Sequence, residues 1–175
     1  ADGKTLTGAA QEAAVGTLVH RCLELIVRQG LAAWPTERLP TLADGWRRWL
    51  RAQGLDVAQA EAGCAEALAA LHTTLGSETG RWLLADHPGG GAEQAWASCD
   101  GDVTVNHVID RIFIADGVRW IVDYKSVRIS SEELTTRAET FRPQLERYAA
   151  LFSGDPLPLK LAVWFPLQGR LVELS

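Results

Sequence analysis

Apolar, largely β-branched positions flank Asp116-Gly117 on both sides: Val108, Ile109, Ile112, Phe113 and Ile114 before it, and Val118, Trp120, Ile121 and Val122 after it. Asp-Gly between such runs is a strong hairpin signal, so the pattern predicts strands over 106–115 and 118–125. With Asp116 and Gly117 as the loop, stepping back along both strands sets Asp110 directly opposite Asp123. Upstream, 92–99 reads as a further strand, and Asp100-Gly101 gives a second hairpin signal. That loop would set Glu93 opposite Val108, in the same row on the same sheet face; Gly101-Asp102 is the alternative loop and shifts the register. Segments 159–165 and 170–174, joined around Gln168-Gly169, form a final hairpin.

The first half has helical spacing instead. Over 11–28, Val15, Leu18, Val19, Cys22, Leu25 and Ile26 make an apolar stripe, with Gly30 as a stop. Further helices are predicted over 42–53, 57–75 (capped by Asp56), 78–84 and 141–152, the last with Pro143 tolerated in its first turn. The polar stretch 127–140 reads as a loop with one helical turn. Tryptophans spaced three or four apart, such as Trp46 and Trp49, fit a packed core better than a base-stacking surface. Pro88 and the glycines of 86–91 break the chain, so one domain over 1–175 is expected, with a helical part over 1–85 and a sheet core over 92–175. The order of elements predicts an α/β (α+β) fold, with a mixed sheet if the fourth strand adds parallel to the third.

Composition narrows the setting. The 175 residues suffice for one sizeable core, and 47% hydrophobic with 22% charged residues is ordinary for a globular chain. No apolar run is long enough to cross a membrane, and no secretory signal is evident. Three widely spaced cysteines without a C-x-x-C pair read as buried thiols in a reducing, cytoplasmic setting. The chain has no methionine and begins at Ala1, as expected of a piece excised from a longer protein. A net charge of −5 gives no basic footprint for nucleic acid, so attraction to phosphate must be local, metal-mediated or supplied by a partner domain.

The hairpin carries the candidate chemistry. Directly opposed residues share a face, and two carboxylates about 5 Å apart repel by roughly 3 kcal/mol at an effective dielectric of about 20. A favourable cross-strand pair supplies only roughly 0.2–1 kcal/mol, so positive charge must sit between Asp110 and Asp123. Lys125, two residues after Asp123, projects from the same face. The cluster suits a divalent cation beside an ammonium group, or equally an ion-pair triad in which Lys125 neutralises both acids. On the first helix Gly16, His20 and Glu24 share one face. Gly16 costs about 1 kcal/mol relative to alanine and is expected to mark close approach of another element. Alone, His20 reads as a hydrogen-bonded boundary histidine and Glu24 as a solvated charge. Gln144 and Tyr148 stand one turn apart on one face.

In chain order, GTLVHRCLE (16–24), VIDRIF (108–113), IVDYKS (121–126) and QLERY (144–148) resemble the PD-(D/E)XK nuclease superfamily. More narrowly, they are similar to the RecB-type nuclease domain at the C-terminal end of bacterial helicase-nucleases. The resemblance implies a restriction-endonuclease-like core, a central mixed sheet flanked by helices, with an additional N-terminal helical region. It also implies metal-dependent, exonuclease-type cleavage of DNA in repair or recombination. His20, Asp110, Asp123 and the Tyr124 backbone carbonyl would be ligands to Mg²⁺ or Mn²⁺, and Lys125 the catalytic lysine. Gln144 and Tyr148 would support the site and the DNA strand, with Glu24 as a further support. Glu93 would match an acidic residue of the first core strand. The helicase motor, and any ATP dependence, would lie in domains outside this chain, which lacks a complete Walker motif. The alternative is a domain of this fold that binds DNA or acts as a scaffold without turnover.

Overall fold

The computed structural model describes the backbone of residues 2–100 and 103–174 and the side chains of 8–91 and 108–174. The chain divides into two compact units. One gathers Ala1–Ala85, Lys125–Arg128 and Phe165–Gly169; the other gathers Asp86–Tyr124, Ile129–Trp164 and Arg170–Ser175.

The helical unit contains α1 (Asp2–Gln29), α2 (Leu39–Ala52), α3 (Val57–Gly76) and α4 (Glu78–Leu84). The α1 stripe is buried as Val15, Leu18, Val19, Cys22, Leu23 and Ile26, whereas Leu25 is 41% exposed. Leu23 and Leu25 flank the stripe at similar angles on opposite sides, so helical period does not separate them; packing chose Leu23. A Cβ on Gly16 would meet nothing within 4 Å, so the expected close approach is not there. It is at Gly63 of α3, where a Cβ would lie 3.1 Å from Val15 and 3.3 Å from Leu50. Asp56 caps α3 with a reciprocal box: its carboxylate accepts from the Gln59 N–H at 2.8 Å, and Gln59 Oε1 accepts from the Asp56 N–H at 2.9 Å. Trp34 and Trp46 are buried, and Trp49 lies beneath the Arg21 guanidinium. Cys22 and Cys64 are buried free thiols.

The sheet has the order β1 (Gly91–Asp100), β2 (Val103–Ala115), β3 (Val118–Tyr124), β4 (Leu159–Phe165) and β5 (Arg170–Leu174). Strands β1, β2 and β3 are antiparallel, and β4 adds parallel to β3, giving the mixed sheet the element order predicts. Between β3 and β4 the chain forms α5 (Leu134–Glu139) and α6 (Arg142–Ala150), and α6 packs on β3. The polar stretch 127–140 is therefore more helical than expected. The β2–β3 register runs from Ala115↔Val118 to Arg111↔Val122, as the Asp-Gly loop dictates. Asp116 (φ 51) and Gly117 (φ 72) are both left-handed, the geometry of a type I′ hairpin.

The β1–β2 register corrects an expectation. Asp100 pairs with Val103 and Ala95, not Glu93, pairs with Val108, so the connection is the alternative two residues, 101 and 102. Position 93 falls between the pairs Ala92↔Arg111 and Gln94↔Ile109, which puts its backbone level with Asp110; the Glu93 side chain lies outside the described residues.

A cationic side chain sits inside the sheet unit. Arg111 is 1% exposed, donates from Nη1 to the Gly91 carbonyl at 3.1 Å, and holds its guanidinium 4.9 Å from the Phe113 ring centroid. Phe113 stacks with His87 (4.7 Å) and with Trp120 (6.3 Å). Burial lowers the Arg111 pKa below its usual value, opposed by Tyr124 and Asp86.

Candidate active site

The two hairpin acids are placed by the β2–β3 register. Asp110 comes one residue before Arg111 and Asp123 one after Val122, so both follow the last matched pair at the same end of the hairpin. Asp123 is 4% exposed, its Oδ2 is buried, and its backbone is matched with Val163 of β4. Asp110 is half-buried and its Oδ2 accepts from the Tyr124 N–H at 2.9 Å. The first acid thus takes a donor from the second strand's backbone, which orients its carboxyl group. A carboxylate buried as Asp123 is costs several kcal/mol unless positive charge or donors face it. Two acids at one hairpin end offer the hard oxygen donors that a divalent cation takes.

Tyr124 ends β3 and is 2% exposed. Burial raises the pKa of its phenol, Arg111 opposes that rise, and the charges of Asp110 and Asp123 add to it. The phenol is therefore neutral, and the backbone is what Tyr124 contributes beside the acids. Lys125 is half-buried and is the first residue beyond the strand. It belongs with Ser126, Val127 and Arg128 to the helical unit.

His20 is half-buried on α1, with Nδ1 2.8 Å from the Gly16 carbonyl oxygen. A carbonyl only accepts, so Nδ1 carries a proton, and Nε2 is the ring nitrogen that a metal would take. The boundary hydrogen bond and the ligand role are therefore compatible. Glu24, one turn on, pairs with Arg28 at 2.5 Å. On α6, Gln144 Nε2 donates to Tyr148 Oη at 2.7 Å, and Tyr148 is buried. His20 and Glu24 belong to the helical unit; Asp110, Asp123, Gln144 and Tyr148 belong to the sheet unit. Among the described residues, no three histidine, cysteine, aspartate or glutamate side chains are gathered closely enough to hold a metal ion.

The motifs do not announce Arg111, Glu66 or Gln168. A lone arginine in an apolar strand was the signal for the first. The other two act on the segment after Lys125 from distant points of the chain: Arg128 Nε donates to Glu66 Oε1 at 2.6 Å, and Gln168 Nε2 donates to the Val127 carbonyl at 2.8 Å.

No helix among the described residues is long and apolar enough to cross a membrane. No curated protein matches the chain. Residues 3–173 match the PD-(D/E)XK nuclease superfamily, a span that takes in both units and every motif residue named above. With that match and a mixed sheet carrying paired aspartates and a following lysine, the chain belongs to the PD-(D/E)XK nuclease superfamily.

Proposed function

We propose that the chain is a divalent-metal-dependent deoxyribonuclease that hydrolyses DNA phosphodiester bonds in an exonuclease-type mode. The observation that carries this reading is the acid pair at the end of the β2–β3 hairpin: Asp123 buried, and Asp110 oriented by the Tyr124 N–H at 2.9 Å. The donor set fits a hard cation with some preference for Mn²⁺ over Mg²⁺: carboxylates from Asp110 and Asp123, the Tyr124 carbonyl, and one imidazole, that of His20. Bound there, the ion would polarise the scissile phosphate and lower the pKa of a water molecule.

The chain's own groups do the rest. The Lys125 ammonium orients the attacking water and offsets charge on the phosphate as the new P–O bond forms and the leaving P–O bond breaks. Tyr148 and Gln144, already joined by a hydrogen bond, present polar groups to the DNA strand. The wider reading is a RecB-type nuclease domain, one domain over 1–175, that works in the cytoplasm in DNA repair or recombination. Helicase motor domains outside this chain would deliver the strand, which offsets the unfavourable net charge of −5.

The test is incubation of the purified chain with end-labelled single- and double-stranded DNA in Mn²⁺, Mg²⁺ or EDTA. Metal-dependent, EDTA-sensitive release of nucleotides is expected. DNA binding without cleavage in either metal would replace this reading with the non-catalytic one.

A further inference from the structure

Regular structure stops at Tyr124, and residues 125–130 belong to no helix or strand. Beyond the strand end no ladder supports the lysine, and its backbone needs other anchors. The helical unit supplies two. Glu66 of α3 lies 62 residues away in sequence and accepts from Arg128 Nε at 2.6 Å. Gln168, 41 residues away, donates to the Val127 carbonyl. The turn that carries Gln168 is itself seated on α3: Gly169 has φ +64, and a Cβ there would lie 2.7 Å from Thr73. A side chain larger than hydrogen is thus doubly disfavoured at 169.

The Glu66–Arg128 pair is asymmetric. The Glu66 side chain is 9% exposed and that of Arg128 is 70% exposed. A carboxylate so buried needs a cation, whereas the arginine alone would extend into water. The pair therefore holds the arginine, and with it the segment, against α3. The hydrogen bond to Glu66 and then the Glu66 charge raise the Arg128 pKa, so the guanidinium keeps its charge.

We infer that Glu66, through Arg128, and Gln168, through Val127, are positioning residues that fix the backbone carrying Lys125. The inference rests on the reading of Lys125 as the catalytic ammonium. Neither residue touches DNA or metal in this role. Their effect is on where the lysine's flexible side chain starts, and a displacement of about 1 Å in a catalytic group costs up to about 100-fold in rate. Because Arg128 is mostly exposed, its tether is modest, on the order of a fivefold effect.

The experiment is a double-mutant cycle on Glu66→Gln and Arg128→Gln, with Gln168→Ala alongside, read by steady-state cleavage and by amide hydrogen exchange. Each single variant should lower kcat about fivefold with KM within about twofold, and the double variant should be no worse than either single one, because one tether is lost in all three. Exchange at residues 126–129 should rise in every variant while exchange in α2 and β3 stays at the parent's level. Unchanged exchange at 126–129, additive losses in the cycle, or faster exchange with undiminished kcat would each overturn the inference. Absence of cleavage by the parent chain would instead defeat the nuclease reading, and the exchange data would still decide whether the tether holds this segment.

Discussion

The Asp110 carboxylate accepts the backbone N–H of Tyr124 at 2.9 Å, so one strand's backbone aims the acid of its neighbour. Asp110→Ala leaves that N–H, in a residue only 2% exposed, without its acceptor, which costs about 1–3 kcal/mol. Asp110→Asn removes the same charge and keeps an acceptor oxygen. Urea unfolding should therefore rank the asparagine variant above the alanine variant. Equal stability would mean that the bond contributes nothing.

Cleavage should separate from folding at the two hairpin positions that follow. Asp123→Ala or Lys125→Ala should lower kcat by at least about 100-fold, the scale of losing one group that stabilises transition-state charge, with far-UV circular dichroism unchanged. Metal-dependent cleavage retained by either purified variant defeats their assignment.

His20 should show itself in metal preference. Removing the one imidazole from an otherwise oxygen donor set should weaken Mn²⁺ more than Mg²⁺, so His20→Ala is expected to narrow the ratio of their affinities by about tenfold. Isothermal titration calorimetry of both ions against parent and variant measures it. An unaltered ratio would remove His20 from the ligand set.

Cys22 gives a pH dependence with a definite sign. Burial pushes its thiol from 9.0 up to about 12, against a smaller opposing effect from Arg38. The folded state then holds a proton that the unfolded state releases, so the contribution is fully present below pH 9 and is lost as pH rises towards about 12. Unfolding free energy measured across that window should fall less steeply in Cys22→Ala than in the parent, and parallel curves would contradict the assignment.

Arg111 should matter for packing more than for charge. Arg111→Ala empties a buried site and strips the Gly91 carbonyl of a donor, for a loss of about 2–5 kcal/mol. Arg111→Met fills most of the volume over Phe113 and should recover more than half of that loss. Denaturant midpoints that are the same for both variants would show that the guanidinium itself is required.

Where reading the chain alone succeeded, the governing interactions were short in sequence. The Asp116-Gly117 loop fixed the β2–β3 register because both residues tolerate positive φ, and α4, β4 and β5 begin and end where the periodicity places them. Asp56 formed the expected cap because the N–H it accepts from, that of Gln59, lies three residues on. The Gln144–Tyr148 contact follows from one helical turn. The β1–β2 loop failed for a similar local reason: Asp100-Gly101 and Gly101-Asp102 offer nearly equal turn chemistry, and the whole length of the strands selected between them.

The amino-acid order by itself determined the hairpin, the two acids at its end and the lysine that follows, because alternation and turn chemistry are written within a few residues. Tertiary structure alone decided that Leu23 is buried and Leu25 exposed, that an arginine sits inside the sheet unit, and that Glu66 and Gln168 hold the segment after the strand. Contacts between residues 41 and 62 positions apart have no period and no local propensity. They exist only once the chain has folded and close packing has brought those groups to one place.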